Sequence, residues 1–116
     1  MSIRDDVYAV IEGTKAGKII ETFTKYYSDD IVMSENGEEE RVGKAANLEY
    51  ETYFENNFDL VDANVDRVVI NGDHAAVEWT FGVRPKTGGD VAVRKQVAFQ
   101  TWKDGQVIRE TFYYKA

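Results

Sequence analysis

The first half of the chain carries apolar side chains at intervals of three and four, the spacing that lines one face of an α-helix. The three stripes consist of Ile3, Val7, Val10, Ile11 and Thr14; of Ile19, Ile20, Phe23, Tyr26 and Tyr27; and of Ala46, Tyr50, Tyr53, Phe54 and Phe58. The pattern predicts three helices, of which the third covers residues 44–57. An acidic capping box of Ser2 and Asp5 is predicted to open the first helix, and Gly17 to end it.

The second half of the chain alternates apolar and polar residues, which is the period of a strand with one buried face. It predicts strands over residues 61–70, 75–83, 91–102 and 107–114, after two short ones at 31–35 and 39–42. Turn sequences separate them, including Asn36-Gly37 and Asp104-Gly105. Helices followed by an antiparallel meander predict one α+β domain over residues 1–116. A curved sheet folded over the helices would leave a cone-shaped cavity that suits a ligand.

Glu110 is the most informative polar residue in this pattern. If the last turn is Asp104-Gly105, the final two strands pair Phe99 with Glu110. Alternation then gives Glu110 the face shared by Val97, Phe99, Thr101, Ile108 and Phe112. A partly desolvated carboxyl has a raised pKa, which suits proton transfer, so Glu110 is the predicted catalytic acid/base. The alternatives are an ion pair with Arg94 or Lys95, or a bulge that turns Glu110 outward.

Aromatic residues make up 13% of the chain, which favours an aromatic-lined pocket and, equally, a core of large side chains. Tyrosine hydroxyls can also donate hydrogen bonds to an oxyanion. The predicted ligand-binding residues are Tyr8, Tyr50, Tyr53, Phe54, Trp79, Phe99, Phe112 and Tyr114.

The other face of the final hairpin mixes aromatic and polar side chains, which is typical of protein interfaces. Its residues are Gln96, Gln100, Trp102, Arg109 and Tyr113. A homodimer through this face is predicted, with a merely exposed surface as the alternative.

Composition excludes several classes of function. The net charge is −7, with 14 Lys and Arg against 21 Asp and Glu, so nucleic acid and anionic membranes are poor partners. With no cysteine and one histidine, the sequence predicts no disulfide, no transition-metal site and no cofactor. No apolar run is long enough for a membrane span and the N-terminus does not read as a signal peptide, which favours a cytoplasmic location.

Several short sequence motifs then indicate a known family. They are Tyr26-Tyr27-Ser28-Asp29-Asp30-Ile31-Val32, Val42-Gly43-Lys44-Ala45-Ala46, Gly72-Asp73-His74-Ala75-Ala76-Val77-Glu78-Trp79, and the final run from Asp104-Gly105 to Tyr113-Tyr114. With the order of elements, they resemble the SnoaL-like branch of the nuclear transport factor 2-like superfamily, which includes ketosteroid isomerases and polyketide cyclases. The resemblance implies a cone-shaped α+β barrel with an internal pocket, and often a dimer.

Residue-by-residue comparison with ketosteroid isomerases gives an incomplete site. The family's hydrogen-bond-donating aspartate matches Val97 or Ala98, whose side chains cannot donate. Its general base matches Asp30 or Glu35, and its pocket tyrosine matches Tyr8. The resemblance therefore does not imply isomerase activity.

SnoaL-type cyclases use a pocket aspartate and histidine, and the only histidine here, His74, follows a turn and is predicted to be solvated. Three functions remain: a cofactor-free cyclase or isomerase type of enzyme, a non-catalytic small-ligand-binding module, and a structural or interaction domain. A second titratable group facing Glu110 across an open cavity would favour the enzyme, and a lone, ion-paired Glu110 the binding module. A cavity filled by its own side chains would favour the interaction domain.

Overall fold

Three helices pack on one six-stranded sheet in the structure, a computed structural model that describes residues 2–115. The elements are α1 (Arg4–Lys15), α2 (Ile19–Tyr26), β1 (Tyr27–Glu35), β2 (Arg41–Val42), α3 (Lys44–Asn57), β3 (Phe58–Asn71), β4 (His74–Pro85), β5 (Ala92–Lys103) and β6 (Gln106–Tyr114). Residues 1 and 116, the ends of the predicted domain, lie outside the described residues. Every predicted helix and strand is present, so the α+β prediction is confirmed.

The helix boundaries follow local signals, with one exception. Gly17 adopts a φ of 78°, a left-handed conformation that ends α1 as predicted. The predicted capping box does not form, because Ile3 occupies the N-cap position and has no side-chain cap bond. The Ser2 hydroxyl instead accepts a hydrogen bond from the backbone N–H of Arg4 at 3.1 Å.

The strand order in the sheet is β2-β1-β6-β5-β4-β3. Strands β3 to β6 form the predicted antiparallel meander, while β1 pairs with β6 in parallel. Register shifts interrupt β3 at residues 60–62 and 65–67. Bulges of this kind bend a strand and increase its twist, which curves the sheet around the helices.

The final hairpin contains a bulge that the sequence pattern did not reveal. Asp104 and Gly105 have the positive φ angles of the predicted turn, 52° and 77°. Trp102 pairs with Val107 as predicted, but Thr101 then pairs with Arg109, so Ile108 is an extra residue. The shift matters because it brings Glu110 onto the same face as Trp102 and Val107.

This bulge overturns the predicted set of neighbours of Glu110. Glu110 pairs with Gln100, and Phe99 pairs with Thr111. Phe99 therefore lies on the outer face of the sheet, together with Val97 and Thr101. Its side chain is 42% exposed. The prediction that these three residues share a face with Glu110 was wrong, because an extra residue in one strand reverses the facing of its partner strand.

The core lies between the helices and the inner face of the sheet. Its most deeply buried side chains are Val7, Ile31, Met33, Val77, Trp102 and Val107. Among the described helices, none is both long enough and apolar enough to span a bilayer.

Candidate functional site

Glu110 lies in a row of paired residues that crosses the inner face of the sheet. Arg41 pairs with Met33, Met33 with Glu110, Glu110 with Gln100, and Gln100 with Ala75. Paired residues on neighbouring strands point to the same side of a sheet. The charged Arg41 and Glu110 are therefore two strands apart on one face, with Met33 between them.

The carboxylate of Glu110 is fully enclosed and hydrogen-bonded at both oxygens. Its Oε1 accepts from the Tyr27 hydroxyl at 2.6 Å, and its Oε2 accepts from Gln100 Nε2 at 2.8 Å. Gln100 is fixed in turn, because its Oε1 accepts from Trp102 Nε1 at 2.9 Å. These four residues are all buried, and we call them the Glu110 network. Neither alternative for Glu110 holds, since its partners are uncharged and the bulge keeps it inside.

Burial controls the acidity of Glu110. Desolvation raises its pKa from 4.5 to about 7, although the hydrogen bonds from Tyr27 and Gln100 act in the opposite direction. The charge of Glu35 adds a smaller increase in the pKa. The carboxyl group can therefore gain or lose a proton near neutral pH.

A second carboxyl group with a raised pKa faces this network from α3. Glu51 is half-buried, and burial raises its pKa from 4.5 to about 7. The charge of Glu110 is the next largest cause of that increase, while Arg41 lowers the pKa. The charge of Glu110 therefore disfavours ionisation of Glu51.

Sequence reasoning missed Glu51 because the predicted stripe of α3 was displaced by one position. The inward face of the helix contains Asn47, Glu51 and Phe54, at intervals of four and three. Asn47 is fully buried, whereas Tyr50 and Tyr53 are 43% and 65% exposed. A search for polar residues at helical spacing, in addition to apolar ones, would have found this face.

A charged cluster borders the site where β1, β2 and α3 meet. Arg41 forms an ion pair with Glu35 at 2.8 Å and donates from Nε to Asn47 Oδ1 at 3.1 Å. Its guanidinium lies 3.8 Å from the centre of the Tyr50 ring. Glu35, one of the two positions matched to the isomerase base, alternates with Met33 and so shares the inner face with Glu110.

Of the predicted aromatic ligand contacts, some line the inner face and others do not. Phe112 and Tyr114 alternate with Glu110 on β6 and are half-buried, and Phe54 stacks on Phe58 at 5.3 Å between centroids. Trp79 is buried and stacks on Phe81 at 4.9 Å.

Tyr8, Tyr53 and Phe99 do not lie where they were predicted. Val7, Val10 and Ile11 set the inward face of α1, which leaves Tyr8 at 37% exposure beside Arg4. Tyr53 is turned outward in the same way on α3, and Tyr50 lies at the margin against Arg41. Phe99 is on the outer face because of the bulge at Ile108.

The predicted dimer face also needs correction. Gln96, Gln100 and Trp102 pair with Tyr114, Glu110 and Val107 and therefore lie on the inner face. Only Arg109 and Tyr113 of the predicted set lie on the outer face, where Tyr113 is 50% exposed.

Two shallow grooves open beside the outer face of the sheet, with volumes of about 280 and 210 Å³. The larger is lined by Asp66, Glu78, Lys95, Gln96, Val97 and Tyr113. The smaller includes Phe99 and His74, whose Nδ1 is 3.2 Å from Thr101 Oγ1. His74 is exposed and pairs with Thr101, which places it on the opposite face of the sheet from Glu110, and neither groove is lined by Glu110.

Within residues 2–115, no group of histidine and carboxylate side chains is arranged to hold a metal ion.

Comparison with known proteins agrees with this architecture. The model of the SnoaL-like domain family matches residues 7–110. The chain belongs to this SnoaL-like family. No curated protein sequence matches the chain.

Solved structures show the same fold over almost the whole SnoaL-like chain. A SnoaL-like protein from Mesorhizobium loti, provisionally assigned as a polyketide cyclase, is 29% identical, with 98% of this chain and 100% of that chain covered and a TM-score of 0.85. A provisionally named isomerase from Bacillus subtilis is 15% identical over 99% of this chain and 90% of that chain, with a TM-score of 0.84. A Catenulispora acidiphila protein with a ketosteroid isomerase-like fold, solved in complex with trimethylamine, is 13% identical, with 95% and 85% covered and a TM-score of 0.78.

Proposed function

We propose that this SnoaL-like protein binds a small carbonyl compound in the cone and moves a proton at the carbon next to the carbonyl, without a cofactor. The observation that carries the proposal is the buried Glu110 carboxyl, whose pKa is raised to about 7 and which faces a second carboxyl, Glu51, with a similar pKa. A general base works best when its pKa lies near the working pH.

In the proposed step, ionised Glu110 removes a proton from the α-carbon of the ligand. The electron pair of the broken C–H bond forms the C=C bond of an enolate, and the carbonyl oxygen takes the negative charge. Protonated Glu51 donates a hydrogen bond to that oxygen. Return of a proton from Glu110 to carbon completes an exchange or an isomerisation.

Tyr27 and Gln100 are positioning residues in this proposal. Both donate to the ionised form of Glu110, at 2.6 and 2.8 Å, and both are buried. A carboxylate fixed at both oxygens loses little side-chain freedom when a ligand binds, which favours a defined attack geometry.

Half-buried aromatic side chains on the inner face support a ligand site in the cone. Phe81, Phe112 and Tyr114 point from the sheet toward the helices, and Phe54 lies on the inward face of α3, yet all four retain exposure to solvent. Because strand alternation directs Phe81, Phe112 and Tyr114 inward, their exposure indicates an opening at that end of the cone. Apolar walls with a few fixed polar groups are typical of small-molecule sites.

The provisional assignment of the Mesorhizobium loti relative is chemically compatible with this step. Polyketide cyclisation by an aldol reaction begins with removal of a proton next to a carbonyl, which is the step proposed for Glu110. The relative's 29% identity over full length makes it a reasonable guide to the reaction class.

The test is catalysed exchange of α-protons for deuterium in 4-oxo-4-phenylbutanamide, an uncharged aromatic ketone, followed by ¹H NMR in D₂O. We expect exchange above the buffer rate, with a bell-shaped pH profile centred near 7, because the active form has Glu110 ionised and Glu51 protonated. A rate equal to that of buffer alone across pH 5–9, with ligand bound, would reject the chemistry.

A second candidate is a binding module without chemistry. It is favoured by the fact that both oxygens of Glu110 already have partners, so the carboxylate also fits a purely structural role. Saturable binding of the ketone without α-proton exchange would support this function.

We also propose a cytoplasmic location, which the cysteine-free sequence favours.

We further propose a homodimer through the outer face of the sheet. The face contains exposed apolar side chains on three strands, namely Val69, Phe99 and Tyr113. Sedimentation equilibrium is expected to give a dimer that Tyr113→Asp weakens, since the added charge would be buried at the contact. A monomer at high micromolar concentration would contradict the dimer.

A further inference from the structure

Arg41 is held in a fixed position by three different contacts. Its Nε donates to Asn47 at 3.1 Å, its Nη2 donates to Glu35 at 2.8 Å, and its guanidinium lies against the Tyr50 ring. Asn47 is itself immobile, since its Nδ2 donates to the carbonyls of Arg41 and Gly43 at 2.9 and 2.8 Å and it is fully buried. A cation held this firmly loses little entropy when it binds a ligand.

The fixed guanidinium retains unused hydrogen-bond donors. An arginine has five N–H groups, of which Arg41 uses one on Nε and one on Nη2. Among residues 2–115, no acceptor is hydrogen-bonded to Nη1. Its side chain is 21% exposed, which leaves it accessible at the margin of the cone.

Arg41 lies on the same row and the same face of the sheet as Glu110. The row passes from Arg41 through Met33 to Glu110 on adjacent strands. Neighbouring strands are about 4.8 Å apart, so the two Cα atoms are separated by about 10 Å. A small molecule that contacts both Arg41 and Glu110 would have to span this distance above Met33, which is buried.

Carboxyl groups surround Arg41 on the elements packed against it. Glu35 lies on β1, Glu51 on α3 and Glu110 on β6, and two phenols on this side are Tyr50 of α3 and Tyr114 of β6. Of these three carboxyl groups, Glu35 alone is ion-paired with Arg41. An anionic group of a ligand would therefore compete with Glu35 for the guanidinium.

We propose that Arg41 is a specificity residue that selects ligands with a carboxylate in addition to the reactive carbonyl, and that Glu35 holds the guanidinium until the ligand displaces it. Arginine suits this role because its planar fork matches both oxygens of a carboxylate. The inference rests on the proposed site at Glu110 and adds the class of substrate, a small aromatic or aliphatic oxo acid.

The test compares two matched probes, 4-oxo-4-phenylbutanoate and its uncharged amide, by calorimetric titration. We expect the carboxylate to bind about tenfold more tightly or better to the unaltered protein, and Arg41→Gln to remove this preference without changing the affinity for the amide. Unchanged amide binding shows that the fold and the cone are intact in that variant.

Glu35→Gln is expected to change the affinity for the carboxylate probe in the opposite direction. Removal of the competing carboxylate frees the guanidinium, so the affinity for 4-oxo-4-phenylbutanoate is expected to rise about tenfold. The matched controls are Arg67→Gln and Glu78→Gln, which break an outer-face ion pair of the same 2.8 Å length. Neither control is expected to change the preference between the probes.

Equal affinities for the two probes in the unaltered protein, including no measurable binding of either, overturn the proposal. A preference that survives Arg41→Gln, or one that falls in Glu35→Gln, also overturns it. Exchange of the amide α-protons with no preference for the carboxylate rejects the role of Arg41 alone. A carboxylate preference without α-proton exchange rejects the proposed chemistry alone.

Discussion

Glu110→Gln is expected to slow α-proton exchange by about 10²- to 10⁴-fold, the usual contribution of a positioned general base. Glutamine has nearly the same shape and can still accept a hydrogen bond from Tyr27, but it cannot take a proton at neutral pH. The measurement is the initial rate of deuterium incorporation into 4-oxo-4-phenylbutanamide, with ligand affinity and thermal unfolding recorded for the same samples.

The matched control for this substitution is Glu78→Gln, which removes a half-buried carboxylate from the outer face of the same sheet. It should retain the full exchange rate. Glu51→Gln separates the role of Glu51 as a hydrogen-bond donor from the role of Glu110 as a base. Glutamine keeps a hydrogen-bond donor but cannot ionise, so the fall in the exchange rate at alkaline pH should disappear. Full activity in Glu110→Gln would show that another group accepts the proton.

The second large effect concerns stability. The free energy of unfolding is expected to fall by roughly 3 kcal/mol between pH 4.5 and pH 7 because of Glu110 alone, at 1.36 kcal/mol for each pKa unit. The folded-state pKa is raised, so the carboxyl is neutral in both states below its unfolded pKa and the stability is then fully present. As the pH rises toward the folded pKa, the unfolded chain releases its proton more easily and stability is lost.

Urea unfolding at pH 5, 6, 7 and 8 checks this expectation when the protein is compared with Glu110→Gln. The difference between the two unfolding free energies should change most between pH 5 and pH 7 and level off above the folded pKa. This difference cancels the contributions of all other titrating groups that the substitution leaves unaltered. Parallel stability curves would mean that Glu110 has the same pKa in both states and is therefore not desolvated.

Helices and strands were predictable from periodicity because each has one buried face. The turn at Asp104-Gly105 was also predictable, since positive φ at both positions restricts the residues that fit. The bulge at Ile108 was not predictable, because an extra residue leaves no mark in a β-prone sequence. That single residue decided which of Phe99 and Gln100 would contact Glu110.

The interior position of Glu110 agrees with the sequence analysis, yet its neighbours do not. The pattern predicted Glu110 and Trp102 on different faces of the hairpin. Because of the bulge, both residues lie on the inner face, where Gln100 connects them by hydrogen bonds. Polar residues that satisfy one another inside a protein break the apolar periodicity on which sequence prediction depends. The same effect hid Asn47 and Glu51 on α3.

The most direct measurement of the central claim is the pKa of Glu110 itself, from a ¹³C NMR titration of the glutamate side-chain carboxyls, with the Glu110 signal assigned by its loss in Glu110→Gln. We expect a pKa of about 7, raised by burial among Tyr27, Gln100 and the core. A pKa near the ordinary 4.5 would contradict it, because a carboxylate with that pKa is solvated and is too weak a base to remove a proton from carbon efficiently near neutral pH.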